Sequence, residues 1–129
     1  MGGEIITTIS PITGQPLLSR LGISTEEIPS IVERSRDAFS SFRHTHPLKR
    51  RQEIVRKALE ILSGKVDELA TELTEQMGRP IAYTGKEILT AKTRAEYLLK
   101  VSDEALKDTP GEAQEGFSRF IRKEPLGVV

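Results

Sequence analysis

The segment Arg122-Lys123-Glu124-Pro125-Leu126-Gly127-Val128-Val129 decides how this chain is interpreted. It joins a charged stretch to a proline and then to a short apolar run. Buried parallel strands read as continuous Val, Ile and Leu runs of about 4–8 residues, and a turn and a crossover helix normally follow them. We therefore expect residues 126–129 to begin a buried strand, and this chain to be the opening part of a larger protein.

A second strand is predicted immediately before that segment. From Phe117 to Arg122, aromatic or aliphatic residues alternate with polar ones in a way that is typical of a strand exposed on at least one face. The predicted strand covers residues 117–124. Residues 107–116 contain Pro110, Gly111 and Gly116, and this composition predicts a loop.

Residues 24–105 are predicted to form a block of four helices. Ser24 and Glu27 have the spacing of a capping box, although Pro29 would then shift the start of the first helix or kink it. Pro47 is predicted as the first residue of the second helix. Ser63-Gly64 should separate the second helix from the third, and Gly78 should end the third. The fourth helix should run from about residue 82 to 105.

Residues 4–21 are predicted to form a β-hairpin. The β-branched residues of Ile5-Ile6-Thr7-Thr8-Ile9 favour a strand, and Pro11-Ile12-Thr13-Gly14 has the composition of a turn. Pro16 restricts the returning strand to an edge position. The predicted fold class is therefore α+β and mostly helical, with an N-terminal hairpin, four helices and a C-terminal strand.

Composition excludes several classes of function. Nineteen basic and nineteen acidic side chains cancel, so no overall field attracts nucleic acid or an anionic membrane. The absence of cysteine excludes disulfides, thiolate metal sites and a cysteine nucleophile. The N-terminus lacks the pattern of a signal peptide, and no stretch approaches 18 apolar residues. We therefore expect a cytoplasmic protein with no nucleic-acid or membrane partner.

Four short patterns could carry chemistry, but each is better explained as structure. His44 and His46 lack the further ligands that a zinc site needs. The sequence Thr84-Gly85-Lys86 has the wrong glycine spacing for a phosphate-binding loop. The remaining two patterns are charged helix faces, whose members are the bases Lys49, Arg50, Arg51, Arg56 and Lys57 and the acids Asp67, Glu68, Glu72 and Glu75.

These charged faces are expected to be solvated. On the second helix, Glu53 and Glu60 are spaced to pair with the bases, and on the third helix Lys65 and Arg79 are the expected counterions. No catalytic, cofactor-binding or metal-binding residue is therefore predicted anywhere in the chain.

Six short segments of the chain form a recognisable series. They are, in order, Ser10-Pro11-Ile12-Thr13-Gly14, Asp37-Ala38-Phe39-Ser40-Ser41-Phe42, Pro47-Leu48-Lys49-Arg50-Arg51, Glu75-Gln76-Met77-Gly78-Arg79-Pro80, Glu87-Ile88 and the closing segment from Arg122 to Val129. Together they resemble the start of the NAD(P)-dependent aldehyde dehydrogenase superfamily. Ser10 stands where that family usually has asparagine, Phe42 where it has tryptophan, and Arg79 where it has lysine.

The resemblance implies an incomplete part of a three-domain α/β fold. Family members oxidise an aldehyde with NAD or NADP through a cysteine thiolate, a glutamate that activates water and an asparagine that holds the oxyanion. None of these residues can be placed on this sequence, and no cofactor is expected to bind this chain. The resemblance also implies that the hairpin and residues 117–124 belong to an oligomer-forming sheet, and that the helices pack on a cofactor domain.

Two hypotheses follow. In the first, the chain is the N-terminal fragment of an aldehyde dehydrogenase, is inactive alone, and has the cofactor and catalytic domains or a homologous subunit as partners. In the alternative, it is a non-enzymatic helical module that pairs with a full-length homologue through the strand at 117–124. A third hypothesis, a free-standing helical enzyme or nucleic-acid binder, has poor support in these residues. On the first hypothesis the isolated chain should be marginally stable, because its apolar stripes lack the surface that they were shaped to meet.

Overall fold

The computed structural model describes residues 3–129. Two antiparallel strands, β1 (Ile5–Ile9) and β2 (Pro16–Leu21), form the hairpin that the sequence predicts. Thr7 pairs with Ser19, and their hydroxyl oxygens lie 2.8 Å apart. The register shifts between Thr8 and Ile9, where the ladder reaches Pro16, a residue that has no N–H to donate.

Four helices follow, close to their predicted bounds. They are α1 (Ile28–Thr45), α2 (Leu48–Ser63), α3 (Val66–Met77) and α4 (Ile81–Ala105). Gly78 ends α3 in the left-handed conformation with φ of 70°, which glycine adopts at little cost. Pro47 lies one residue before α2, at its N-cap, rather than at its first helical position.

The first helix begins later than the capping box alone would place it, which is one of the two outcomes expected from Pro29. Ser24 and Glu27 do form the capping box, and the Ser24 amide donates to Glu27 Oε2 at 2.8 Å. The turn that they cap is a short 3-10 helix over Thr25–Glu27. The α-helix begins only at Ile28, which places Pro29 in its first turn, where its missing N–H costs nothing.

The C-terminal strand is much shorter than predicted. Within residues 117–124, only β4 (Phe120–Ile121) is a strand, and it pairs antiparallel with β3 (Thr109–Pro110). The segment at 107–116 therefore contains a short strand as well as a loop. Gly111 and Arg119 continue the ladder by one hydrogen bond of 2.9 Å, after which Gln114 and Phe117 close the turn as an isolated bridge. Residues 126–129 carry no strand in the described chain.

Helix α4 is the centre of the packing, because both α2 and α3 lie against it. Even so, little apolar surface is covered within residues 3–129. Ala70, at 5% exposure, is the one apolar side chain buried there, and the other buried residues are Ser10, Gln52 and Thr84, which are polar. The apolar stripes predicted from the sequence are therefore present as helix faces, but solvent still reaches them.

Candidate functional surface

His44 lies in the last turn of α1 and His46 is its C-cap, so neither is a residue of an open loop. The His46 ring stacks on Phe42 with centroids 4.2 Å apart, and its Nδ1 lies 2.8 Å from the Thr45 hydroxyl. Both interactions are local, and they fix the chain as it leaves the helix. In residues 3–129 no group of three or more potential ligands is arranged to hold a metal ion.

The charged helix faces are solvated and paired in part as the sequence predicts. Arg50 contacts Glu53 at 2.9 Å, and Lys65 contacts Glu68 at 3.1 Å. The pairing expected for Arg79 is wrong: its guanidinium contacts Glu87 at 2.7 Å rather than an acid on α3. Arg79 follows the end of α3 and Glu87 lies in the second turn of α4, so this ion pair ties the α3–α4 turn to the helix that it leads into.

The Thr84-Gly85-Lys86 sequence lies in the first turns of α4 and forms no loop. Thr84 is fully buried, and its hydroxyl donates to the Ile81 carbonyl at 3.1 Å. The Thr74 hydroxyl lies 3.3 Å away across the α3–α4 contact. This threonine pair fastens the two helices and leaves no open site for phosphate at these residues.

The hairpin turn, residues 10–14, contacts the segment of residues 75–80 at the end of α3. The buried Ser10 Oγ accepts from the Ile12 amide at 3.3 Å, and the Gly14 amide donates to the Ser10 carbonyl at 2.8 Å. Pro11 then lies against Gly78, where an added Cβ would come within 3.1 Å of the proline Cγ. The hairpin is thereby held against the end of α3.

A second junction joins α1 to the segment after β4. Arg43 contacts Glu124 at 3.2 Å, and Gly127, with φ of 98°, lies against the Phe39 ring. Close by, Arg122 donates to both oxygens of Asp108 and spans β3 and β4. This hydrogen bonding by Arg122 lowers the pKa of the Asp108 carboxyl below its ordinary value.

Between α2 and α4 lies an apolar groove of about 300 Å³. We call it the α2–α4 groove. It is lined by Leu48, Arg51, Gln52, Val55, Ala95, Leu98, Leu99 and Ser102. Its one buried polar group, Gln52, is 6% exposed and donates from Nε2 to Ser102 Oγ at 2.8 Å and to Asp103 Oδ2 at 2.9 Å.

The sequence analysis did not single out Gln52, Ser102 or the buried roles of Ser10 and Thr84. Gln52 carried a signal that could have been used. It falls between Leu48 and Val55 on the apolar face of α2, and a polar residue there needs a partner across the helix contact. The partner itself, fifty residues away in the sequence, could not have been found from spacing.

Comparison with known proteins identifies the family. The family model described as "Aldehyde dehydrogenase family" matches residues 2–129. The succinate-semialdehyde dehydrogenase [NADP(+)] of Mycobacterium avium (strain 104) is 29% identical over 126 residues, which are 96% of this chain and 27% of that protein. A protein named probable succinate-semialdehyde dehydrogenase [NADP(+)] from Synechocystis is 32% identical over 124 residues, with the same shares.

The fold is found in solved structures of the same class. The succinic semialdehyde dehydrogenase of Streptococcus pyogenes, in complex with NADP+, superposes with a TM-score of 0.75 at 24% identity. The superposition covers 85% of this chain and 24% of that one.

The chain belongs to the aldehyde dehydrogenase family. It spans about a quarter of the length of the relatives that it matches. Its hairpin, its four helices and its short strand pair form part of that fold, as the resemblance implied. None of the helices in residues 3–129 combines the length and the apolar character needed to cross a bilayer.

Proposed function

We propose that this chain is the N-terminal structural part of an aldehyde dehydrogenase, and that the whole protein oxidises an aldehyde to a carboxylic acid with NAD or NADP. The family match over residues 2–129 and the share of about a quarter of each relative support this proposal. The names of two relatives contain succinate semialdehyde and NADP, which makes these the first substrate and cofactor to test.

One observation carries the structural role. Among the described residues only Ala70 is an apolar side chain removed from solvent, while Leu98, Ile81 and Ile61 remain more than half exposed. Burial stabilises by roughly 25 cal/mol per Å² of apolar surface, so helices with such faces gain most of their stability from a further surface. We propose that the cofactor and catalytic domains of the whole protein supply it.

On its own the chain is proposed to be inactive and to bind no cofactor. Its sequence contains neither cysteine nor asparagine, which the family chemistry uses as nucleophile and oxyanion donor. The test is NAD(P)H formation by the purified chain with succinate semialdehyde, with a full-length family member as the positive control. Turnover above the blank would contradict the proposal.

Two further parts of the proposal rest on the composition and on the exposed apolar faces. A cysteine-free chain suits a reducing compartment, so we propose a cytoplasmic location. The exposed apolar faces make the isolated chain marginally stable. A cooperative thermal transition together with a well-dispersed NMR spectrum would contradict that expectation.

A second candidate function is a non-enzymatic module that pairs with a full-length homologue. The observation that favours it is the short sheet β3–β4, in which β4 pairs on one side only and Phe120 and Ile121 are both exposed. Such an edge can add a strand from another chain. Co-purification with a full-length homologue would support this module if Ile121→Pro abolishes it. The control Glu112→Pro, in the loop after β3, should leave it unchanged.

A further inference from the structure

The chain divides, at the connection between α1 and α2, into two parts that few polar contacts join. We call residues 3–46, which contain the hairpin and α1, the N-terminal unit, and residues 47–129 the body. Within residues 3–129 one ion pair crosses between them, from Arg43 to Glu124 at 3.2 Å, and no other hydrogen bond does. Its side chains are 41% and 56% exposed, and ion pairs with such exposure contribute little to stability.

Two apolar contacts also join the N-terminal unit to the body, and a glycine of the body takes part in each. Pro11 lies against Gly78, and the Phe39 ring lies against Gly127. Because a glycine has no side chain, each contact covers little apolar surface, and no residue of α1 is buried. The N-terminal unit is therefore held at two small junctions, which open at a low cost in free energy.

The connection between the two parts is short and extended. It consists of His46 and Pro47 alone, since α1 ends at Thr45 and α2 begins at Leu48. Pro47 has φ of −59° and ψ of 164°, and a proline also disfavours the helical conformation in the residue before it. The connection therefore favours an extended path, which can lead α1 away from its own body as well as back onto it.

We propose that two copies of this chain exchange their N-terminal units. In the exchanged dimer Arg43 of each copy pairs with Glu124 of the other, and the contacts at Gly78 and Gly127 also form between copies. The surfaces are complementary because they already meet within one chain, and only the torsions of the connection change, so exchange is a low-cost route to a dimer. The exposed apolar faces of α2 and α4 take no part, and the surface assigned to the rest of the whole protein stays free.

Sedimentation equilibrium of the 129-residue chain over a range of concentrations is the first test. The expected result is a mass that rises with concentration and levels off at twice that of the monomer, since mutual exchange leaves no N-terminal unit without a body. A chain that stays monomeric at every concentration would overturn the proposal. So would a mass that continues to rise past the dimer, because that is the behaviour of open-ended association.

Cross-linking locates the contact, and a chain without cysteine makes it specific. Ser40→Cys, next to Phe39, and Val128→Cys, next to Gly127, are placed on two chains with different tags, and a short bis-maleimide joins thiols that lie close together. The mixture should give a cross-linked product that contains both tags. The double variant Ser40→Cys/Val128→Cys calibrates the reaction, because at low concentration it should cross-link within one chain.

A matched control uses Lys86→Cys in place of Val128→Cys. Lys86 is exposed and lies twenty positions before Leu106 on α4, which is roughly 30 Å along a helix. Leu106 and Glu124 line the same depression, so Lys86 is far from the junction at Glu124. A mixed product that is no more abundant than in this control would overturn the proposal.

Lengthening the connection tests its role as the hinge while all the junction residues are kept. Insertion of Gly-Ser-Gly between His46 and Pro47 lets α1 return to its own body more freely, so the dimer fraction at a given concentration should fall roughly tenfold. The same insertion between Glu112 and Ala113, in the loop after β3, should leave the dimer fraction unchanged. An equal effect of the two insertions would refute exchange about this connection.

Discussion

Gly78 at the end of α3 lies directly against Pro11 in the hairpin turn, and a Cβ at position 78 would come within 3.1 Å of the proline Cγ. The same glycine has φ of 70°, which side-chain-bearing residues rarely adopt. Gly78 therefore ends α3 and, because it has no side chain, also allows Pro11 of the hairpin turn to pack closely against it.

Gly78→Ala should destabilise the chain by about 1–2 kcal/mol, because it combines backbone strain with the contact to Pro11. Urea titration of the helical circular dichroism signal measures the change. Gly14→Ala is the matched control, since Gly14 has φ of 69° with nothing within 4 Å of the added Cβ. If the two substitutions cost the same, the contact with Pro11 contributes nothing.

Gln52→Ala should cost about 1–3 kcal/mol, because it removes the two hydrogen bonds that the buried Gln52 amide donates, one to Ser102 Oγ and one to the charged carboxylate of the exposed Asp103. Gln52→Glu should cost more, since it places a carboxylate against Asp103. The measurement is the urea midpoint of each variant. Gln76→Ala, at an exposed position on α3, serves as the control and should change stability by less than about 0.5 kcal/mol.

Removing the Thr84 hydroxyl while keeping its shape should cost about 1 kcal/mol. Thr84→Val deletes the hydrogen bond to the Ile81 carbonyl and the contact with the Thr74 hydroxyl. Because the two hydroxyls are partners, the double variant Thr74→Val/Thr84→Val should cost less than the sum of the two single variants Thr74→Val and Thr84→Val. Strictly additive costs, measured in the same urea titrations, would show that the two hydroxyls do not interact.

Acid should loosen the β3–β4 pair. Arg122 lowers the pKa of Asp108 below its ordinary value of 3.8, so the ionised pair stabilises the folded form above that pH. This stability is lost as pH falls through the lowered pKa. Exchange of the Gly111 amide, which donates to the Arg119 carbonyl, reports the opening. In Asp108→Asn the exchange should be faster at neutral pH and should no longer change with this titration.

The helices were predictable because their ends are marked by residues with strong local preferences. Gly78 can adopt positive φ, and Pro47 and Pro29 fit only near a helix start. The capping box at Ser24 was recognised, but its hydrogen bonds stabilise a 3-10 turn as readily as the first turn of an α-helix. Sequence spacing does not separate these two outcomes.

The C-terminal strand was predicted too long. The alternation of apolar and polar residues indicates which way side chains point, but it does not show whether a partner strand exists. The partner here is Thr109–Pro110, whose proline and adjacent glycine gave no strand signal. Likewise, the apolar stripes identified helix faces without showing what covers them. The buried polar residues Gln52 and Thr84 depend on contacts between helices that no local pattern encodes.

The ion pair between Arg43 and Glu124 joins residues 81 positions apart in the chain. During synthesis at about 5–20 residues per second, α1 leaves the ribosome several seconds before its partner does. The hairpin and the helices α2, α3 and α4 are complete before Glu124 is synthesised. We therefore expect α1 to dock after them, with its Phe39 and Phe42 rings accessible until then to a chaperone that binds nascent chains.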